Sequence, residues 1–143
     1  MAEAKVLIVD DEEEFSQALA ERMRMRGLSV EIAANGQEAL EKVESGVFDA
    51  IILDMVMPGM DGMETLKKLK EKKPEFQVIL LTGHASLDKG VESIKMGAMD
   101  FLEKPADLES LTKKIKEAKA KRLVLVEKAQ EDYIKDILSK KGW

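Results

Sequence analysis

Five short apolar runs recur along this chain, and between them lie stretches whose apolar residues step at helical intervals. Lys5-Val-Leu-Ile-Val-Asp10 is the first, an apolar run bounded by charge, which is the form of a strand buried on both faces. Leu28 to Ala33, Phe48 to Asp54, Gln77 to Thr82 and Met99 to Leu102 are the others. Between the first two, Phe15, Leu19 and Met23 step by four, and Gly27 ends that helix. After the Asn35-Gly36 turn signal, Ala39, Leu40 and Val43 share a helix face that Gly46 closes. Asp61 caps a helix running to about Lys72, with Leu66 and Leu69 inward and Pro74 beyond its end. Ser86 caps another to Met96, ended by Gly97.

Strands alternating with helices predict right-handed parallel β-α-β units, so the fold class is α/β: a doubly wound five-stranded parallel sheet with helices on both faces. A length of 143 residues suits one ordinary domain. From Ala106 to Lys141 there is neither glycine nor proline, and the tail reads as helix throughout, longer than one packing helix requires.

Composition excludes several classes. The absence of cysteine rules out disulfides and thiolate chemistry, and a single histidine, His84, rules out a multi-histidine zinc site. No apolar run approaches the ~20 residues of a membrane span, and the first residues carry no signal-peptide pattern, so the expectation is a cytoplasmic protein away from membranes. The net charge of −5 disfavours direct nucleic-acid binding. That charge is uneven: residues 1–105 sum to −8 and residues 106–143 to +3.

In open parallel sheets, ligands bind beyond the carboxyl ends of the strands, where the strand order reverses. Here those ends carry Asp10-Asp11, Asp54, Thr82 and Lys104. Three carboxylates converging on one crevice repel one another unless a cation neutralises them. Oxygen ligands alone select a hard ion, Mg²⁺ or Mn²⁺, which readily shares phosphate oxygens. A hydroxyl and an ammonium beside them suit a phosphoryl group, and an aspartate can itself form an acyl phosphate.

Asp10-Asp11, the segment Asp54-Met-Val-Met-Pro-Gly-Met-Asp61-Gly62, Leu81-Thr82-Gly83-His84 and Phe101-Leu-Glu-Lys104-Pro105 together resemble the receiver domain of two-component response regulators. The resemblance covers about residues 4–119 and implies the flavodoxin-like strand order 2-1-3-4-5. It implies a receiver over residues 1–119 and a helical extension over 120–143. It further implies that Asp54 accepts a phosphoryl group from a histidine kinase or phosphotransfer protein. Asp11, with Asp10 through water, Asp54 and the Val56 carbonyl would hold Mg²⁺. Thr82 and Lys104 would bind the phosphoryl oxygens, the Lys104-Pro105 bond would be cis, and Phe101 would be the switch aromatic. Val56 and His84 would modulate the site from its rim. Such a protein catalyses only its own phosphorylation and dephosphorylation, and its output surface is the fourth helix, fifth strand and fifth helix, facing a downstream partner.

Rival readings remain. Asp10 and Asp11 are also plain helix-capping acids, and Phe101 is also ordinary core. A metal-dependent phosphatase with an aspartate nucleophile resembles Asp-x-Asp after the strand, but Val56 holds the place of the second acid. A fragment of a longer transcription regulator is a further alternative. Met55, Met57 and Met60 straddle the loop after Asp54 and suit either core filling or a kinase-facing surface. In the tail, Leu123, Val126, Tyr133 and Ile137 keep a heptad seam with Gln130 as its polar interruption. That seam predicts a homodimer or a partner contact; alternatively the helix kinks near Lys121 and folds back.

Overall fold

The computed structural model describes residues 4–83 and 87–140; His84 and Ser86 lie outside them. Five strands and five helices alternate strictly: β1 (Lys5–Val9), α1 (Glu13–Met25), β2 (Ser29–Ala33), α2 (Gly36–Ser45), β3 (Ala50–Leu53), α3 (Gly62–Lys72), β4 (Gln77–Thr82), α4 (Leu87–Lys95), β5 (Asp100–Glu103) and α5 (Leu108–Lys140). All pairings are parallel, in the order β2-β1-β3-β4-β5. The order reverses between β1 and β3, which lie side by side with Val9 opposite Leu53.

Side chains alternate across each strand, and both faces are covered. Leu7, Val9, Ile51, Leu53 and Leu80 pack with residues of α2 and α3, among them Leu40, Val43, Leu66 and Leu69. Val6, Ile8, Ile52 and Leu81 face the other way, onto Met23 of α1 and Leu111, Ile115 and Ala118 of α5. Burying each large aliphatic side chain contributes roughly 1.5–3 kcal/mol, so the central strands anchor the fold.

The helix boundaries follow local chemistry. Asn35 and Asp61 cap α2 and α3, accepting the Glu38 and Glu64 N–H groups at 2.8 and 2.9 Å. Gly27 and Gly97 follow α1 and α4 with φ of 89° and 105°. Gly46 instead leaves α2 with an extended φ of −113°.

The last helix is one unbroken element through residue 119 and through Lys121. Its buried face ends at Ala118, and Arg122 makes the next inward contact, with Asp49. Beyond it, Val126 and Ile137 are half-buried and Leu123 and Tyr133 are exposed, as are Val124 and Ile134 off the seam. Among the described residues no helix is long and apolar enough to cross a membrane.

Candidate phosphoacceptor site

The site lies at the carboxyl edge of the sheet, where each functional side chain follows its strand. Asp54 leaves β3 with its N–H on the Val9 carbonyl at 2.9 Å, and Asp10 leaves β1 with its N–H on the Ala33 carbonyl at 3.1 Å. Parallel pairing thus sets the two acids side by side, and both are buried, at 4% and 3% exposure. Thr82 ends β4, fully buried. Lys104 follows β5, and its N–H donates to the Thr82 carbonyl at 2.8 Å. The Lys104-Pro105 peptide is cis.

The loop after Asp54 is held close by α3. Gly62 donates its N–H to the Met55 carbonyl at 2.8 Å. A Cβ on Gly62 would stand 2.4 Å from Met55 Cα and 2.5 Å from the Asp54 carbonyl oxygen, so only glycine fits. This folding-back turns Met55 and Met57 into the core and leaves Met60 half-buried, so the methionines pack rather than form an exposed surface. Val56 points outward, 52% exposed, with its N–H 3.4 Å from Asp54 Oδ1.

The Lys104 ammonium sits among the acids, 2.7 Å from Asp10 Oδ2, 2.9 Å from Glu12 Oε1 and 3.7 Å from Asp54 Oδ2. Burial pushes the Asp10 carboxyl above its ordinary value, against the opposing pull of its Lys104 hydrogen bond, and the Asp54 charge adds to the rise. Burial alone would lower Lys104; its hydrogen bonds to Asp10 and Glu12 outweigh that and leave it raised.

Carboxylate oxygens of Asp10, Glu12 and Asp54 all lie within 4.8 Å of one another, an oxygen-only donor set that fits a hard divalent ion. Asp11 stands outside that trio. It is exposed and lines an adjoining cavity of about 310 Å³ with Asn35, Gly36, Pro58 and Gly59. Glu12 is an acid that the strand-end pattern alone does not single out. Its place at the N-cap of α1 emerges only from the fold, so no local signal marks it.

Phe101 is half-buried against the α2/α3 side of the core, and its ring lies beside Gly90 of α4. His84 falls outside the described residues, so its place at the rim is an expectation only.

Residues 6–116 match the response regulator receiver domain. The chain belongs to that family. Its strand order and flanking helices are those of receivers of the CheY-like kind. The transcriptional regulatory protein ZraR of Klebsiella oxytoca is 42% identical over 115 residues, which are 80% of this chain and 26% of that one. This receiver therefore spans about a quarter of the length of those regulators. A receiver domain protein from Clostridium thermocellum superposes with a TM-score of 0.80 at 34% identity, covering 85% of this chain and 98% of the other. A chain from the adenylate cyclase of Rhodopirellula baltica covers 94% of this chain and 98% of its own length, with a TM-score of 0.82 at 26% identity. Receivers are modules of two-component signalling, and that coarse function holds for this chain.

Proposed function

We propose that Asp54 is the phosphoacceptor, loaded by a histidine kinase or phosphotransfer protein, and that the phosphorylated state is read by a downstream protein. The observation that carries this reading is the convergence of Asp10, Asp54 and Lys104 on one buried edge, with the Lys104 ammonium 3.7 Å from Asp54. In the transfer, an Asp54 carboxylate oxygen bonds to phosphorus while the phosphorus–nitrogen bond of the donor's phosphohistidine breaks. The imidazole nitrogen keeps that electron pair and takes a proton. Lys104 and the Thr82 hydroxyl are suited to receive the charge on the phosphoryl oxygens.

Asp10, Asp11 and Asp54, with the Val56 carbonyl, would hold Mg²⁺ or Mn²⁺, and Glu12 joins the donors within reach. The ion would supply charge neutralisation where acids and phosphate meet. With Val56 where a phosphatase of this chemistry carries a second acid, the chain is not an enzyme acting on outside esters. Its catalysis is confined to Asp54. Val56 and His84 would tune the lifetime of the phosphorylated state, and Thr82 with Phe101 would relay it.

The output face would be α4, β5 and α5. Val91 and Ile94 are exposed on α4, at 46% and 47%, and Lys114 of α5 is ion-paired with Asp100 of β5. Exposed apolar residues on a charged surface suit a protein partner.

Incubation with acetyl phosphate, or with beryllofluoride and Mg²⁺, should modify the protein at one site. Mass spectrometry should find one phosphoryl group, absent from Asp54→Asn and prevented by a chelator. An adduct that survives in Asp54→Asn would remove Asp54 from this role.

A further inference from the structure

Glu12 occupies the N-cap of α1, yet its side chain makes no cap hydrogen bond. Its carboxylate turns instead to Lys104, at 2.9 Å. Three residues on, and so on the same helix face, Phe15 sets its ring centroid 4.1 Å from the same ammonium. Phe15 is also partly buried against the α1/α5 side of the core. Lys104 thus touches Asp10, Glu12 and Phe15, which all follow β1 closely in the chain, and stands farther from Asp54.

We infer that Glu12 and Phe15 are positioning residues: they form a side dock that holds the Lys104 ammonium away from Asp54 in the unphosphorylated protein. The inference rests on the reading of Asp54 as phosphoacceptor. An ammonium is a compact charge with three donors, and it settles where acceptors and a π face surround it. Asp10 faces the site itself, but Glu12 and Phe15 draw the charge sideways. A phosphoryl group on Asp54 brings new negative charge, and Lys104 must leave the dock to meet it. The dock therefore opposes the phosphorylated state. The contact of Glu12 with Lys104 accounts for its carboxylate being turned away from the helix it heads.

The dock can be read without any phosphate chemistry. In the NMR spectrum of the unmodified full chain, ring current from Phe15 should displace the Lys104 side-chain signals upfield. Phe15→Leu should return them to ordinary values, whereas Phe15→Trp should keep the displacement. Glu12→Gln, an exposed change that does not disturb the core, should also move them. In a second measurement, Phe15→Leu should bind beryllofluoride with Mg²⁺ about two- to fivefold more tightly, the scale of one lost cation–π contact, and Phe15→Trp should not. Lys104 signals at ordinary values in the unmodified protein, or a Phe15→Leu variant that binds no more tightly, would overturn the dock. A parent protein that takes no beryllofluoride would overturn the Asp54 reading instead, and the Lys104 signals alone would then decide the dock.

Discussion

The Arg122 guanidinium meets the Asp49 carboxylate at 3.2 Å, across 73 residues of sequence and at the edge of the sheet opposite the acidic site. The two side chains are only 14% and 12% exposed. Asp49 also accepts the Lys5 N–H at 2.9 Å, and Arg122 lies 5.9 Å from the Phe76 ring. Arg122 therefore clamps α5 to Asp49 at the head of β3, which in turn holds the start of β1, just where the helix runs off the domain. Replacing one member of a buried pair strands the other, so Arg122→Ala should cost about 3 kcal/mol in urea unfolding. Arg122→Lys should recover only part, because lysine lacks the planar fork. A loss no greater than that of an exposed pair, under about 1 kcal/mol, would contradict the clamp.

Gly62 leaves no room for a side chain between α3 and the backbone of Asp54 and Met55. Gly62→Ala should lower stability by at least about 1–3 kcal/mol, since backbone cannot yield as a side chain can. It should also weaken Mg²⁺-dependent beryllofluoride binding by moving the loop. Stability equal to the parent's would show that the loop gives way freely.

Gly90 sits mid-helix in α4, where alanine is ordinarily better by about 1 kcal/mol. A Cβ there would stand 3.2 Å from Phe101 Cδ1, so the ring must shift to admit it. Gly90→Ala should therefore gain little alone and the full helical benefit in a Phe101→Ala background. Additive effects in denaturation would uncouple the two residues.

Because burial raises Asp10 above 3.8, the folded protein holds that proton more tightly than the unfolded chain does. Its ionisation costs stability above the raised value, and the cost vanishes as pH falls through it. Lys104 works the other way: being raised above 10.5, its share of stability is present below that value and lost as pH rises past the folded one. Asp10→Asn should therefore compare more favourably with the parent at neutral pH than at pH about 3, both read by thermal unfolding. A difference that is flat or reversed with pH would refute the assignment of its cause to burial.

The extension beyond Arg122 carries Leu123 and Tyr133 exposed at 48% and 67%, on a seam with half-buried Val126 and Ile137. A second copy of the chain is the expected occupant, with basic tails set between two acidic receivers. Sedimentation at high micromolar concentration should show a dimer that Leu123→Lys together with Tyr133→Lys converts to monomer. A monomeric parent, with and without beryllofluoride, would dismiss self-association.

Element types were legible because the central strands β1, β3 and β4 are buried on both faces and the helices on one, so period and punctuation both show in the residues. The run from Phe48 contracts to Ala50–Leu53, and Asp49 just before it is held by Lys5 and Arg122. The methionines after Asp54 were ambiguous, since an apolar loop residue reads alike whether it packs or faces water. Gly62 bringing the loop against α3 settled them as core.

Apolar runs that end in polar groups were enough to define the parallel sheet and to bring Asp10, Asp54, Thr82 and Lys104 to its carboxyl edge. The arrangement of the acids around Lys104 came from packing alone: Asp10 and Glu12 stand within 3 Å, Asp54 farther off and Asp11 outside the trio. Neighbouring acids in sequence leave a strand in different directions, and which carboxylate meets a distant lysine depends on the packing of β1, β3 and β5. The same holds at the opposite edge. No local pattern links Arg122 to Asp49, because their meeting is set by where α5 crosses the sheet, and that is a property of the packed fold.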